Sequence, residues 1–422
     1  MKLEKFLIQS NNIGKDSLVW NMVGSMIMAF QSVIMLMILT RVLGLNEAGI
    51  FTIAYANANL FVTIGKYGMR NFQVSDVSEQ FLFQEYLISR LFTTFMMILV
   101  SVIYVVCIGN ENEYSMEKCF VIIWMCLFKV VDSLEDVYHG LYQQKGRLDV
   151  AGKTMAFRLG ITLIVFAIGI IFLKNLLLAV IGATVITVFL LILFNKWAYR
   201  LFKETVKGKI SFTHVRDLLK LCFPLFLGSF LSFYIGNAPK YAIDSVLNDE
   251  SQACYGFISM PIFVVGLLNN FIFNPMIYKL SVMWNEGKKK EFIKKILIQI
   301  LIVLGITSTC IMGAYICGIP ILSILYNTDL SPYKIELLIL LLGGGFLALS
   351  GLLVITITII RFQNSLTIGY VIVSLLAYIL SEIVVEQYLI KGAACLYLVL
   401  MITLCFVFGL FLIYGLKRER KF

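Results

Sequence analysis

Twelve long apolar stretches, separated by short polar loops, constrain this chain more than any other feature of its sequence. An α-helix needs roughly 20 apolar residues to cross a bilayer, and the stretches match that length. Because lipid offers the backbone no hydrogen-bond partner, we predict an all-α polytopic membrane protein with about twelve transmembrane helices. The predicted spans are Ser17–Leu39, Ala48–Tyr67, Tyr86–Ile108, Cys119–Leu141, Met155–Leu173, Leu176–Phe194, Phe223–Ala242, Ala253–Ile272, Phe292–Ile316, Ile335–Ile360, Leu366–Val385 and Ala393–Tyr414.

The composition excludes an ordinary soluble domain. Hydrophobic residues make up 60% of the chain and charged residues 14%, whereas soluble domains have about 45–50% and about 25%. The first span is too long for a cleavable signal peptide, and its flanks are those of a mature helix. We therefore count Ser17–Leu39 as part of the fold.

The basic residues predict the orientation of the chain, because Lys and Arg are retained on the cytoplasmic side of a membrane. They concentrate in every second loop, from Lys2 and Lys5 to the run at Lys288–Lys290 and the tail after Lys417. Both termini are therefore predicted to be cytoplasmic, in a cell membrane. The net charge of +10 reflects this topology, so we expect anionic lipid head groups as partners and no nucleic acid.

The sequence predicts a transporter and not an enzyme. Its nine cysteines lie singly, and its two histidines, His139 and His214, form no cluster with metal-site spacing, so we expect no metal and no cofactor. The longest hydrophilic stretch, residues 195–222, has no phosphate-binding loop, paired carboxylates or nucleophile elbow. An ATP-driven pump is excluded for the same reason.

The same hydrophilic stretch divides the chain into two sets of six spans, as expected for a transporter built from two halves. We predict an N-terminal lobe at residues 1–208 and a C-terminal lobe at residues 209–422. A short amphipathic helix near residues 212–221 would link them. All six prolines lie in the second half, four of them in or directly after spans seven and eight, which we predict to bend.

Polar residues inside spans are costly and usually face a cavity or a partner. In span two, Asn59, Thr63, Lys66 and Arg70 recur at i, i+4, i+7 and i+11 and form one polar stripe that ends in two cations. These basic side chains either extend to the lipid head groups or line a basic cavity that holds an anion.

Three further regions extend this pattern. Span seven has a stripe through Ser229, Ser232 and Lys240, and Arg90 adds a cation in span three. Together with Lys66 and Arg70, Arg90 and Lys240 are the candidate substrate-binding cations. Asn270 in span eight joins the candidate polar lining, although hydrogen bonding to a neighbouring helix is its alternative role.

Span four is the most highly charged. Lys129, Asp132, Asp136 and His139 share one helical face, and Lys129 can neutralise Asp132 three residues away. This cluster is either a buried ion pair that fixes helix packing or a titratable group that couples ion movement to transport. Direct contact with substrate is the third alternative.

Several local motifs resemble polysaccharide exporters of the Wzx type in the MOP (multidrug, oligosaccharidyl-lipid, polysaccharide) superfamily. The motifs are Arg41-Val-Leu-Gly44 with Ala48-Gly49-x-Phe51, Gly65-Lys-Tyr-Gly68-Met-Arg70-Asn71, His139-Gly140-Leu-Tyr142-Gln-Gln-Lys-Gly146-Arg147 and Asn237-Ala-Pro239-Lys240-Tyr241-Ala-Ile-Asp244. In length and span number the resemblance extends over essentially the whole chain.

The resemblance implies a MATE-like pair of six-helix lobes around a central, cationic cleft. The implied activity is the movement of an undecaprenyl-pyrophosphate-linked oligosaccharide from the inner to the outer leaflet by alternating access. The implied partners are this substrate, membrane lipids, a polysaccharide polymerase and other surface-polysaccharide assembly proteins.

Three alternatives stay open on the sequence. A MATE-like drug or organic-cation antiporter would use Asp132 and Asp136 in an acidic cleft with aromatic residues. A membrane polymerase would carry large outer loops, whereas every outer loop here is short. A lipid II flippase of the MurJ type fits the chemistry, but such chains tend to be longer and to have fourteen spans.

Overall fold

The computed structural model describes residues 2–76, 80–205 and 210–418, and it consists of helices and short turns over that part. Side chains are described there except at residues 2, 203–205, 267–272, 274, 275, 278 and 418. The helices are α1 (Lys2–Ile8), α2 (Ile13–Leu43), α3 (Leu45–Lys66), α4 (Met69–Ser75), α5 (Phe83–Glu111), α6 (Met116–Gln144), α7 (Leu148–Leu173), α8 (Leu176–Tyr199), α9 (Phe212–Val246), α10 (Asp249–Ser259), α11 (Pro261–Asn285), α12 (Lys289–Gly313), α13 (Ile319–Tyr326), α14 (Lys334–Ile359) and α15 (Asn364–Arg418).

The predicted fold class, an all-α polytopic membrane protein, is confirmed. Within the described residues, nine helical segments are long and apolar enough to cross a membrane. The three other predicted spans correspond to α6, which is rich in charge, to the broken pair α10 and α11, and to the second half of α15. Leu389, with φ 54° and ψ −139°, interrupts α15 between predicted spans eleven and twelve. The count of twelve crossings stays a prediction.

The helices form two compact units, Met1–Phe230 and Leu231–Phe422. The predicted lobe boundary at 208 and 209 lies outside the described residues and stays a prediction. The short linker helix expected near 212–221 is the first part of the continuous 35-residue helix α9. This helix continues past Pro224, so within the described residues the predicted linker helix and predicted span seven form one helix.

In the first unit, helix α6 has the central position. Helices α3, α5 and α8 pack directly on α6, while α2 packs along α7. The short helix α1 lies against α7 and α8, where Leu7 is buried with Leu190 and Phe194. The charged residues of α6 between Lys129 and Asp136 are therefore enclosed by protein.

In the second unit, α14 packs against α11, α12 and α15. Three consecutive glycines make this possible, because small residues let helices approach closely in a membrane. A side chain at Gly343 would meet Tyr397, one at Gly344 would meet Ile262, and one at Gly345 would meet Thr307.

Helices α2 and α7 approach each other closely at Gly152. A Cβ at Gly152 would lie 2.5 Å from backbone atoms of Trp20 and Asn21, which cannot move independently of α2. We expect Gly152→Ala to destabilise the protein by about 1–3 kcal/mol through overpacking. A lowered melting temperature in detergent would measure this effect.

Gly160 provides the matched control on the same helix, because a Cβ there meets no atom within 4 Å. Gly160→Ala should leave the melting temperature unchanged or raise it, since alanine favours a helix over glycine by up to ~1 kcal/mol. Equal melting temperatures for Gly152→Ala and the unmodified protein would contradict the close crossing.

Candidate functional site

The charged side chains of α6 form the centre of the candidate site. Lys129, Asp132, Glu135 and Asp136 are all buried, with exposed fractions between 3% and 9%. Their burial follows from the position of α6 beneath α3, α5, α7 and α8. An isolated charge in such surroundings would be very unfavourable, so each requires a partner.

Arg158 of α7 neutralises two of these carboxylates. Its Nε and Nη2 donate hydrogen bonds to Glu135 at 2.8 and 2.7 Å, and Nη2 also donates to Asp132 at 2.7 Å. Its Nη1 donates to the hydroxyl of Thr187 at 2.8 Å. Asp132 also accepts a hydrogen bond from Lys129 at 2.9 Å. The predicted ion pair between these two residues of α6 is therefore confirmed.

Asp136 belongs to a second group of interacting charged residues, together with Arg90 and Arg70. Arg90 of α5 donates to it at 2.8 Å, and Arg70 of α4 lies 3.6 Å from its other oxygen. Arg90 also donates to the carbonyl oxygen of Gly65 at 2.9 Å, and the hydroxyl of Thr93 donates to the same oxygen at 2.8 Å. Through these contacts, Arg90 and Thr93 of α5 connect the backbone of α3 to Asp136 of α6.

A tight turn between α3 and α4 lies between Lys66 and Arg70, the two most accessible cations of this site. Gly68 has φ 66°, a left-handed conformation that suits glycine, and it redirects the chain after Lys66. Arg70 then lies against α6, where it donates to Gln143 at 3.0 Å. The side chain of Arg70 is 30% exposed, and Lys66 is half-buried.

Positive charge exceeds negative charge in this part of the first unit. Five basic side chains lie beside three carboxylates, a difference of +2 with neutral histidine. The basic residues are Lys66, Arg70, Arg90, Lys129 and Arg158, and the acidic residues are Asp132, Glu135 and Asp136. Lys66 interacts electrostatically with Asp132, but it forms no salt bridge with any described residue. The surplus charge is therefore at Lys66 and Arg70.

Arg90 does not match its predicted role as an accessible cation. Its side chain is fully buried, and Asp136 neutralises its charge. This position suits a residue that fixes helix packing, and the role of Arg90 in substrate binding stays a prediction. His139 is also buried; its Nε2 is 3.2 Å from the hydroxyl of Thr154 and 3.7 Å from Glu135. Of the four residues of the predicted coupling cluster, Lys129 and Asp132 thus pair with one another, whereas Asp136 pairs with Arg90 and His139 lies beside Glu135.

Two residues of the predicted polar lining, Thr63 and Ser229, hydrogen-bond to the backbone of their own helices. The hydroxyl of Thr63 donates to the carbonyl oxygen of Leu60, and that of Ser229 donates to Leu225. Asn59 is half-buried. These residues add little hydrogen-bonding capacity for a ligand, apart from Asn59.

The remaining candidate site residues lie in the second unit; they are Ser232, Lys240 and Asn270. Lys240 on α9 is half-buried, and no salt bridge joins it to a described residue. The hydroxyl group of Ser232 lies near that of Tyr370. The side chain of Asn270 lies outside the described residues. The role of Lys240 in substrate binding stays a prediction.

Arg158 and Glu135 are site residues that residue spacing along the sequence did not indicate. Arg158 lies within predicted span five, which begins at Met155. A basic residue inside a span usually has a buried partner. That rule, applied to Arg158, would have pointed to the acidic face of α6.

Comparisons with known proteins indicate the family and the fold. A family model described as "Polysaccharide biosynthesis protein" matches residues 15–281. The capsular polysaccharide biosynthesis protein CapF of Staphylococcus aureus is 23% identical over 314 residues, which are 74% of this chain and 77% of CapF.

Two solved transporter structures have the same fold. The lipid II flippase MurJ in an inward closed conformation has a TM-score of 0.70 at 16% identity, with 94% of this chain and 87% of MurJ covered. An inward-facing MATE family multidrug resistance transporter of the MOP superfamily has a TM-score of 0.69 at 13% identity, with 95% and 98% covered. The predicted MATE-like fold is therefore confirmed.

Proposed function

The chain belongs to the polysaccharide biosynthesis protein family, and we therefore propose that it is a flippase for a lipid-linked oligosaccharide. In this proposal the substrate is an undecaprenyl-pyrophosphate-linked oligosaccharide, which moves from the cytoplasmic to the outer leaflet of the cell membrane by alternating access. The product would serve cell-surface polysaccharide biosynthesis. The family match over residues 15–281 is the observation that carries the proposal.

The surplus charge at Lys66 and Arg70 supports an anionic substrate. Sugars and pyrophosphate lose their hydration in hydrocarbon, which is strongly unfavourable unless protein groups replace the water. Lysine and arginine do so through charge-assisted hydrogen bonds to phosphate oxygens. We assign these two residues to the pyrophosphate and keep Lys240 as a further candidate.

The charge pattern also favours a flippase over a drug or organic-cation antiporter. An antiporter of that kind needs a carboxylate that can release its partner to a cation. In the described part of the first unit, Asp132, Glu135 and Asp136 all form ion pairs with arginine or lysine. Any ion coupling through Lys129, Asp132, Asp136 and His139 remains a proposal.

The charge pattern of the loops indicates the membrane location and the orientation of the chain. We propose a multi-pass protein of the cell membrane with both termini in the cytoplasm. Its partners would be the lipid-linked substrate, membrane lipids and the polymerase and other assembly proteins that use the exported oligosaccharide. In this proposal it transports its substrate without chemical change.

Reconstitution tests the proposal directly. Proteoliposomes would contain a polyprenyl-pyrophosphate oligosaccharide, and an impermeant glycosidase would measure the fraction of sugar that reaches the outer surface. We expect protein-dependent crossing that empty liposomes and an unrelated membrane protein do not provide. No crossing with several lipid-linked sugars, even under a proton or sodium gradient, would reject the flippase.

A further inference from the structure

A cavity of about 490 Å³ opens on the first unit, between α5, α6 and α8. On α6 it is lined by Leu134 and Tyr138, which lie opposite the charged face by helical spacing. Its volume is within the roughly 300–1,000 Å³ typical of ligand pockets. The cavity is thus a site separate from the ion-pair network.

The packing of the helices explains why this groove exists. Helices α5 and α8 each pack on α6, but their backbones stay apart over most of their described lengths. At one end the rings of Phe83 and Tyr199 meet at 5.8 Å. The gap between them exposes the surface of α6 at Leu134. At its rim, Leu91 is 52% exposed and Ile192 is 63% exposed. Exposed apolar residues in a membrane-spanning helix face lipid chains, so the groove opens towards the bilayer.

One end of the groove is polar and positively charged. Asn195, Lys196 and Tyr199 line it there, and no carboxylate is among its lining residues. Lys196 is exposed and has no salt bridge to a described residue. The rings of Tyr138 and Tyr199 meet edge to face at 6.4 Å. Tyrosine is enriched where hydrocarbon meets lipid head groups, which suits this end of the groove.

The length of the groove indicates the size of its occupant. On α5 the lining runs from Phe83 to Leu91, which is about 12 Å at 1.5 Å per residue. One leaflet contributes roughly 15 Å, half of the hydrocarbon core. An acyl chain of one leaflet fits this length, whereas a polyprenyl chain is much longer.

We propose that this groove binds an anionic phospholipid of the surrounding leaflet. Its acyl chain would lie over Leu134 between α5 and α8, and its phosphate would accept a charge-assisted hydrogen bond from Lys196. The lipid would complete the packing of α6 on the face opposite the ion pairs. This inference does not depend on the flippase activity.

Native mass spectrometry of the full-length protein in detergent, titrated with phosphatidylglycerol, tests the proposal. We expect Lys196→Ala to weaken the tightest phosphatidylglycerol site about tenfold, the effect of losing one charge-assisted hydrogen bond. Binding of zwitterionic phosphatidylcholine should change little. Lys220→Ala is the matched control, because Lys220 is also an exposed lysine of the first unit, on α9, and does not line the groove.

A second pair of variants tests the apolar part of the groove. Leu134→Trp should remove the tight site for both lipids by filling the floor, whereas Ile164→Trp, at a lipid-facing position that is 61% exposed, should preserve it. If Leu134→Trp does not fold, the lysine variants decide alone. Equal phosphatidylglycerol affinities for Lys196→Ala and Lys220→Ala would overturn the proposal. Preferential binding of polyprenyl phosphate at this site would also overturn it.

Discussion

Replacing Arg158 with leucine is expected to destabilise the protein by about 3–5 kcal/mol, because a buried carboxylate that loses its partner is strongly unfavourable. Glu135 would lose both of its hydrogen bonds from the guanidinium group, and Asp132 would keep only Lys129. Since whole proteins are stable by roughly 5–15 kcal/mol, the yield of folded protein and its melting temperature in detergent should both fall markedly.

Two further variants separate charge from shape at this position. Arg158→Lys keeps the charge but not the forked geometry, so an intermediate loss is expected. The double variant with Arg158→Leu and Glu135→Leu removes one positive and one negative charge and leaves Asp132 paired with Lys129. It should therefore be more stable than Arg158→Leu alone. An Arg158→Leu protein that melts at the temperature of the unmodified protein would contradict the importance of this network.

The transmembrane helices could be predicted because the bilayer imposes a length and an apolar composition on each. A stretch of about 20 residues is enough to recognise this requirement, and it predicted the positions of both α2 and α14. The interruption at Leu389 lies in the predicted loop between spans eleven and twelve. The continuity of α9 through Pro224 was not predicted, because it depends on tertiary packing. Hydropathy does not report such packing.

The site was harder to predict because residue spacing gives neighbours within one helix only. The pair Lys129–Asp132 lies on α6 alone, and its spacing predicted it. The partners of Asp136 and Glu135 come from α5 and α7. Residue spacing therefore indicated Arg90 as an available cation, whereas in the structure Asp136 neutralises it.

Removing the two accessible cations is expected to have the largest effect on transport. Arg70→Ala should lower the rate of oligosaccharide crossing by about tenfold or more, because one charge-assisted hydrogen bond contributes about 1.5–3 kcal/mol. The combined variant Lys66→Ala with Arg70→Ala should abolish measurable crossing. Both proteins should fold, since Asp136 keeps its 2.8 Å bond from Arg90. The proteoliposome assay and detergent melting curves measure the two properties separately.

Arg90→Ala provides the contrast that distinguishes substrate binding from folding. Its loss leaves Asp136 with only the longer contact of 3.6 Å from Arg70, so the melting temperature should fall. Lys220→Ala removes an exposed charge from the same unit and should change neither property. If the combined Lys66 and Arg70 variant transports normally, the surplus charge of the first unit does not bind substrate. If the unmodified protein moves no lipid-linked sugar at all, the proposed function itself fails. Because these outcomes differ, the assignment of the two cations can be rejected while the flippase activity stands.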